Sequence, residues 1–366
     1  MGILQRFFGR NAKPVWRVEA LLMERLGWVS PPVAVQWIST SACDLTCDHC
    51  YSNAGKRSHG ELTTKEAKEL LVDALIELER PTLVIAGGET LLRKDFAEIV
   101  AHVHARRIPW AIHTHGGHVE KHIDVFAKHP PIMAAVSVDG PRAYHDAFRG
   151  KKGSFDSAMR AIAALKRAGV PEVVAGTTIQ RTNADLVADM TGDILASGAD
   201  SWGFHLMAPE GRAGVHLELL PTQHQLRRLA GLGRRLRAFF HVELDNEWGS
   251  AGDDDALYRD DTFACGAGRF SCVVSATGEV MPCTTTDIRE SAGNIRERSL
   301  SDIWNKGFGA FRRESDDPRS DCDDCWLNTR HGHSCRSAFS FDVFTEEHAR
   351  RVPLFQIRRS GAELVG

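Results

Sequence analysis

Cys43-Asp44-Leu45-Thr46-Cys47-Asp48-His49-Cys50-Tyr51 brings three thiols into a span of eight residues. Sulfur is a soft donor, so such a group points to a thiophilic metal centre. A structural zinc needs four protein ligands, whereas three cysteines leave one iron of a four-iron cluster open to a further ligand. The spacing C-x3-C-x2-C matches neither the repeated C-x2-C pairs of zinc modules nor the x2 runs of ferredoxins, and an aromatic ring, His49, precedes the last cysteine.

Working outward, a strand-like run from Val33 to Thr40 leads directly into this loop. That order places the loop at the carboxyl end of a first parallel strand. Beyond the loop, Thr63-x-x-Glu66 reads as a capping box opening a helix to about Glu79, and Thr82 to Ala86 is a β-branched run ending in Gly87-Gly88-Glu89. The pattern then alternates: helix over Asp95–Arg107, strand over Trp110–His113, helix over Glu120–Lys128, strand over Ile132–Val138, helix over Phe155–Arg167. It continues with a strand over Val173–Ile179, a helix over Asn183–Ala196 and a strand over Trp202–Leu206. Alternation of this kind predicts an α/β chain whose parallel sheet is wrapped by helices. Periodicity alone fits an open doubly wound sheet as well as a barrel.

At 366 residues and 43% apolar the chain can bury a sizeable core, expected as one large domain and a smaller one. Its formal net charge of −3 gives no electrostatic case for nucleic acid or an anionic membrane. No apolar run approaches the roughly 20 residues of a bilayer span, so a cytoplasmic protein is expected. Nine cysteines, clustered at 43–50, 265–283 and 322–335, read as ligand groups and not as a disulfide framework.

The cysteine loop resembles the signature of the radical S-adenosylmethionine (SAM) superfamily, and the resemblance extends over about residues 33–210. It implies a partial (β/α)6 TIM-like barrel. It also implies that Cys43, Cys47 and Cys50 hold a [4Fe-4S] cluster whose fourth iron is chelated by SAM, which is cleaved to methionine and a 5′-deoxyadenosyl radical that abstracts hydrogen from substrate. Gly87, Gly88 and Glu89 resemble the family's glycine-glycine-glutamate motif, in which Glu89 accepts from the SAM ammonium; Thr90 stands where proline is usual. Ser137 and Asp139 resemble the ribose-facing segment, and Arg149 matches an arginine that pairs with the SAM carboxylate. Tyr51 is expected beside the adenine. The plain alternatives are a strand-end turn for Asp139, a surface arginine for Arg149 and core packing for Tyr51. His113, His115 and His118 either line the cavity or decorate a loop.

The second half carries Cys265-x6-Cys272, Gly278-x4-Cys283 and Cys322-x2-Cys325-x5-His331-x3-Cys335. It resembles SPASM, the auxiliary cluster extension of peptide-maturing radical SAM enzymes, most closely in the mycofactocin and pyrroloquinoline-quinone maturases. His331 replaces a cysteine there, and no cysteine follows Cys335. The resemblance implies one auxiliary [4Fe-4S] cluster on Cys265, Cys272, Cys283 and Cys335, and a second on Cys322, Cys325 and His331. A single "twitch" cluster on Cys265, Cys283, Cys322 and Cys325 is the rival. By spacing alone, 322–335 is also a zinc site.

The expected organisation is an arm (1–32), the barrel (33–210), a connection (211–262) holding a basic helix near Gln223–Phe239, a SPASM-like domain (263–340) and a tail (341–366). The leading function is radical modification of a ribosomally made peptide by oxidation or cross-linking. It calls for an electron donor such as flavodoxin or ferredoxin, and for a separate leader-peptide-binding protein if 1–32 is too short to bind one. The alternatives are a dehydrogenase of a small molecule such as an aminoglycoside or sugar alcohol, and a zinc-stabilised nucleic-acid-binding module.

Overall fold

The computed structural model describes residues 29–208, 211–244, 266–284 and 291–312. Strands β1 (Ala34–Ile38), β2 (Thr82–Ala86), β3 (Trp110–Thr114), β4 (Met133–Ser137), β5 (Val173–Ile179) and β6 (Ser201–Leu206) lie side by side in chain order, every neighbouring pair parallel. Parallel neighbours need a crossover. Here helices supply each one, including 64–77, Phe96–Ala105, Ile123–Lys128, Ser154–Arg167 and Thr191–Ser197. The α/β partial-barrel fold expected from the sequence is thus the observed one, with the Thr63 capping box formed.

Two apolar layers hold it. Between sheet and helices, Ser154–Arg167 buries Phe155, Ala158, Ala161, Ile162 and Leu165, a stripe at helical spacing. Inside the sheet's curve, Ala34, Val84, Ala111, Met133 and Val174, one from each of five successive strands, form a separate apolar plug. Side chains alternate along a strand, so residues two positions on share the plug's face nearer the carboxyl ends. These are Gln36, Ala86, His113, Ala135 and Gly176, and they line a cavity. The fold therefore has an apolar floor and a polar mouth.

Three features depart from the sequence reading. Residues 211–262, expected as a connection, hold the expected helix at Gln223–Leu236 but also a further strand, β7 (His241–Leu244), parallel to β6. The strand His-Val-Glu-Leu is short and half polar, which hides it from a periodicity reading. Secondly, the cysteine-rich segment shares the barrel's sheet: β8 (Ser271–Val274) pairs parallel with β1, and β9 (Glu279–Met281) and β10 (Gly293–Asn294) continue it antiparallel. Thirdly, a helix follows Pro141 at Arg142–Phe148. Proline is pre-organised for a helix start, a signal that the strand-end Asp-Gly before it masked.

Arg296 fastens the cysteine-rich segment to the barrel. It pairs with Glu66 at 2.6 Å and donates to the carbonyls of Gly60 (3.0 Å) and Thr277 (2.8 Å). The guanidinium lowers the Glu66 carboxyl from its ordinary 4.5 to about 2. A carboxyl depressed on folding contributes stability above its unfolded pKa and loses it as pH falls towards the folded value. R296A should therefore lower the urea midpoint relative to wild type at pH 7, and the gap should narrow as pH falls from about 4.5 to about 2. Urea titrations at pH 7, 4 and 3 read this directly; a gap independent of pH would remove Glu66 from the account.

Candidate radical SAM site

The stem of the cysteine loop is held before the cysteines begin. Glu61 accepts from Thr40 Oγ1 (2.9 Å), Ser41 N (2.9 Å), Ser41 Oγ (2.9 Å) and Ser58 N (3.1 Å). Burial alone would raise its carboxyl, but these donors bring it below the ordinary value. Arg93 donates to the Ser39 carbonyl at 2.6 Å and the Leu62 carbonyl at 3.1 Å while paired with Asp95. The loop then closes on itself through Cys43 N to Gly55 O (2.9 Å) and Gly55 N to Ser41 O (2.8 Å).

Gly87 and Gly88 bind this loop to β2. Gly88 N donates to Thr40 O and Glu89 N to Ala42 O, each at 2.8 Å. A Cβ on Gly87, whose φ is +144°, would stand 2.5 Å from Thr40 O, and one on Gly88 would stand 2.3 Å from Ala42 O. Any side chain would force the two loops apart. The glycines are therefore required by backbone packing against residues 40–42, whatever approaches them from the cavity.

His49 stacks on Phe148 with ring centroids 4.3 Å apart and planes 11° apart. Burial, with the positive charge of Arg149, pushes its imidazole down to about 3, so it packs as a neutral ring. An aromatic before the third cysteine thus docks the loop on the helix Arg142–Phe148. That helix ends at Arg149, whose guanidinium pairs with Asp139 at 2.5 Å and reaches Cys47 Sγ at 3.7 Å.

The three cysteines, Tyr51, Gly87, Gly88, Ser137 and Arg149 all line one cavity of about 240 Å³. Glu89 is fully buried behind it and accepts from Thr114 Oγ1 (2.9 Å), His115 N (3.0 Å) and Leu91 N (3.2 Å). Asp139 is also fully buried, with its carboxylate on Arg149 and the Thr178 amide (3.0 Å), and is not among the residues that line the cavity. His113 and His115 line the cavity. His115 and His118 also reach Asp44 at 2.9 and 3.3 Å, and Lys151 reaches it at 2.6 Å. Burial opposes ionisation of Asp44, yet Lys151 and the two imidazoles hold it well below the usual carboxylate range.

Sequence reasoning missed Arg212, Gln36, Thr178, His205 and Thr284, which share the cavity. His205 lies over two strand glycines: a Cβ on Gly203 or Gly176 would stand 3.1 or 3.4 Å from its Nε2. Glycine inside a strand marks such close approach, and that was the available signal. Arg212 carried none, since Glu210-Gly-Arg-Ala-Gly reads as a turn.

Three sulfurs facing one cavity fit an iron-sulfur cluster with one iron left for another ligand. Asp44 and His115 also come within 4.8 Å of the Cys43 sulfur, but they pair with each other and leave the sulfurs as the donors. Burial pushes the Cys43 thiol up to about 11 and raises Cys47 as well, so metal entry must displace protons. Of the expected auxiliary ligands, Cys283 is half-buried and precedes Thr284 at the cavity. Cys272 lies fully buried in the main apolar cluster, where burial pushes its thiol up to about 12, so there too metal binding would displace a proton. Cys265, Cys322, Cys325, His331 and Cys335 lie outside the described residues.

Comparison with known proteins agrees with this geometry. Residues 37–190 match the radical SAM superfamily model, and residues 265–326 match SPASM, an iron-sulfur cluster-binding domain. The chain is 32% identical to the mycofactocin maturase MftC of Mycolicibacterium smegmatis over 305 residues, covering 79% of this chain and 74% of that protein. It is 29% identical to an AdoMet-dependent heme synthase of Oleidesulfovibrio alaskensis over 299 residues, 76% of each chain. The fold is shared with Streptococcus suis SuiB bound to its precursor peptide SuiA, at a TM-score of 0.68 and 15% identity, covering 91% of this chain and 82% of SuiB. With the three-cysteine loop at the mouth of a partial barrel and a relative above 30% identity along most of its length, this chain belongs to the radical SAM superfamily and carries a SPASM domain.

Proposed function

We propose that this protein modifies a ribosomally synthesised peptide by oxidation or cross-linking. As a radical SAM protein with a SPASM domain, it takes a SAM-binding [4Fe-4S] cluster and auxiliary clusters as cofactors. When bound, SAM and its cluster supply a radical that removes hydrogen from substrate. The observation that carries the peptide reading is the position of Thr284: the residue after Cys283, an expected auxiliary ligand, lines the cavity of the three-cysteine loop. An auxiliary cluster ligated at Cys283 would adjoin the substrate and could take up the electron that an oxidation releases. The likeness to a mycofactocin maturase over most of the chain supports the same reading.

The chain's own residues contribute positioning and exclusion of water. Glu89, held by three donors, offers a fixed carboxylate for a cationic group of SAM. The apolar plug closes the barrel floor, so a reactive species formed above it meets only the cavity lining and whatever is bound there. Gln36, His113, Thr178 and His205 present polar groups above that floor for substrate. We propose further that a flavodoxin or ferredoxin in the cytoplasm supplies the reducing electron, and that a separate protein presents the leader peptide. Among the described residues no helix is long and apolar enough to cross a membrane.

The match to a heme synthase favours a second reading, in which a small molecule occupies the same cavity. Co-expression with short peptides encoded beside the gene, followed by mass spectrometry, tests the first reading. A mass loss on one peptide, dependent on SAM, is expected; turnover of SAM with every peptide unchanged would move the small-molecule reading ahead.

Changing Cys43, Cys47 and Cys50 together to alanine should abolish 5′-deoxyadenosine production and remove about four irons, leaving auxiliary iron in place. Iron and sulfide analysis with chromatography of the products reads both, and retained SAM cleavage would defeat the assignment. E89Q should weaken SAM binding about tenfold or more, the scale of a hydrogen bond to a charged group. Equilibrium dialysis with labelled SAM measures it; wild-type affinity would release Glu89 from its role.

A further inference from the structure

We infer that Arg149 and Arg212 form a two-arginine clamp on Cys47 that sets the reduction potential of the cluster at the three-cysteine loop. The inference rests on the cluster being held there. It goes beyond SAM binding, because Nη1 of Arg149 and the donors of Arg212 are directed at the cysteine loop itself.

Arg149 follows the helix Arg142–Phe148 and is 8% exposed. Its Nε and Nη2 both lie on Asp139 Oδ2, at 2.6 and 2.5 Å, which leaves Nη1 aimed at Cys47 Sγ, 3.7 Å away. Burial opposes a charged guanidinium, but Asp139 raises its pKa further and keeps it charged. The pair is neutral as a whole and presents its positive end to the sulfur.

Arg212 arrives from the segment after β6. Its Nε donates to Cys47 O at 2.9 Å, its Nη1 to Ala54 O at 2.5 Å, and its backbone N to Cys50 O at 3.0 Å. Gly211 makes this approach possible: its φ is +57°, and a Cβ would stand 2.3 Å from Tyr51 O and 2.6 Å from Cys50 O. Cys47 thus receives one arginine at its sulfur and another at its carbonyl.

One-electron reduction adds a negative charge to a cluster, so fixed positive charge nearby favours the reduced form, and hydrogen bonds to ligand sulfur act in the same direction. The effect is strong where burial lowers the local dielectric. Arginine is suited to the task because it stays charged throughout.

The test is EPR-monitored redox titration of anaerobically reconstituted protein, following the signal that the triple alanine variant lacks. R212Q, and the double variant D139N/R149Q, which avoids stranding a buried carboxylate, should each take up the cluster and show a more negative midpoint than wild type. R212K, which keeps the charge, should return the midpoint towards the wild-type value. Wild-type midpoints in both R212Q and D139N/R149Q would overturn the inference. So would loss of the cluster in R212Q that R212K does not repair, because charge would then not be the operative property. A wild-type protein lacking the signal altogether would instead strike the radical SAM reading of the loop.

Discussion

The close contact between two backbones, residues 40–42 and residues 87–89, is the constraint on which the site depends. Two hydrogen bonds of 2.8 Å join them, and two absent Cβ atoms allow the approach. This contact ties the end of β1 to the end of β2, so the cysteine loop inherits the rigidity of the sheet. Glu61 and Arg93 reinforce the same stem with charge-assisted hydrogen bonds, which are the stronger kind. A loop of nine residues would otherwise be too mobile to present three sulfurs to one cavity.

Charge around the loop is arranged in layers. Asp44 is held by Lys151, His115 and His118 at one end, and Asp139 holds Arg149 at Cys47. Asp139, fully buried, faces a cation, as burial of an ion requires. The neutral ring of His49 packs among these charges without adding one. Cys272 is buried in the apolar cluster on β8, the strand beside β1.

The barrel's own design separates stability from chemistry. Its lower interior layer is apolar and closed, and the layer above it carries Gln36, His113 and small residues. The same strands that bury a plug therefore also build the cavity, two residues further on. The cysteine-rich segment adds β8 to this sheet, and Thr284, the residue after Cys283, lines the cavity.

Much of this was legible in the residues. The cysteine spacing pointed to the family, β-branched runs located β2 and β5 at their observed limits, and Thr63-x-x-Glu66 announced a helix cap, because each depends on neighbours along the chain. The tertiary structure alone decided that Arg212 meets Cys47 and that Asp139 serves Arg149 and not the cavity. It alone decided that β7 and β8 extend the sheet. These contacts join residues far apart in sequence, 165 positions in the case of Arg212 and Cys47. Local propensity carries no record of which distant groups a curved parallel sheet will place at the same carboxyl-terminal mouth.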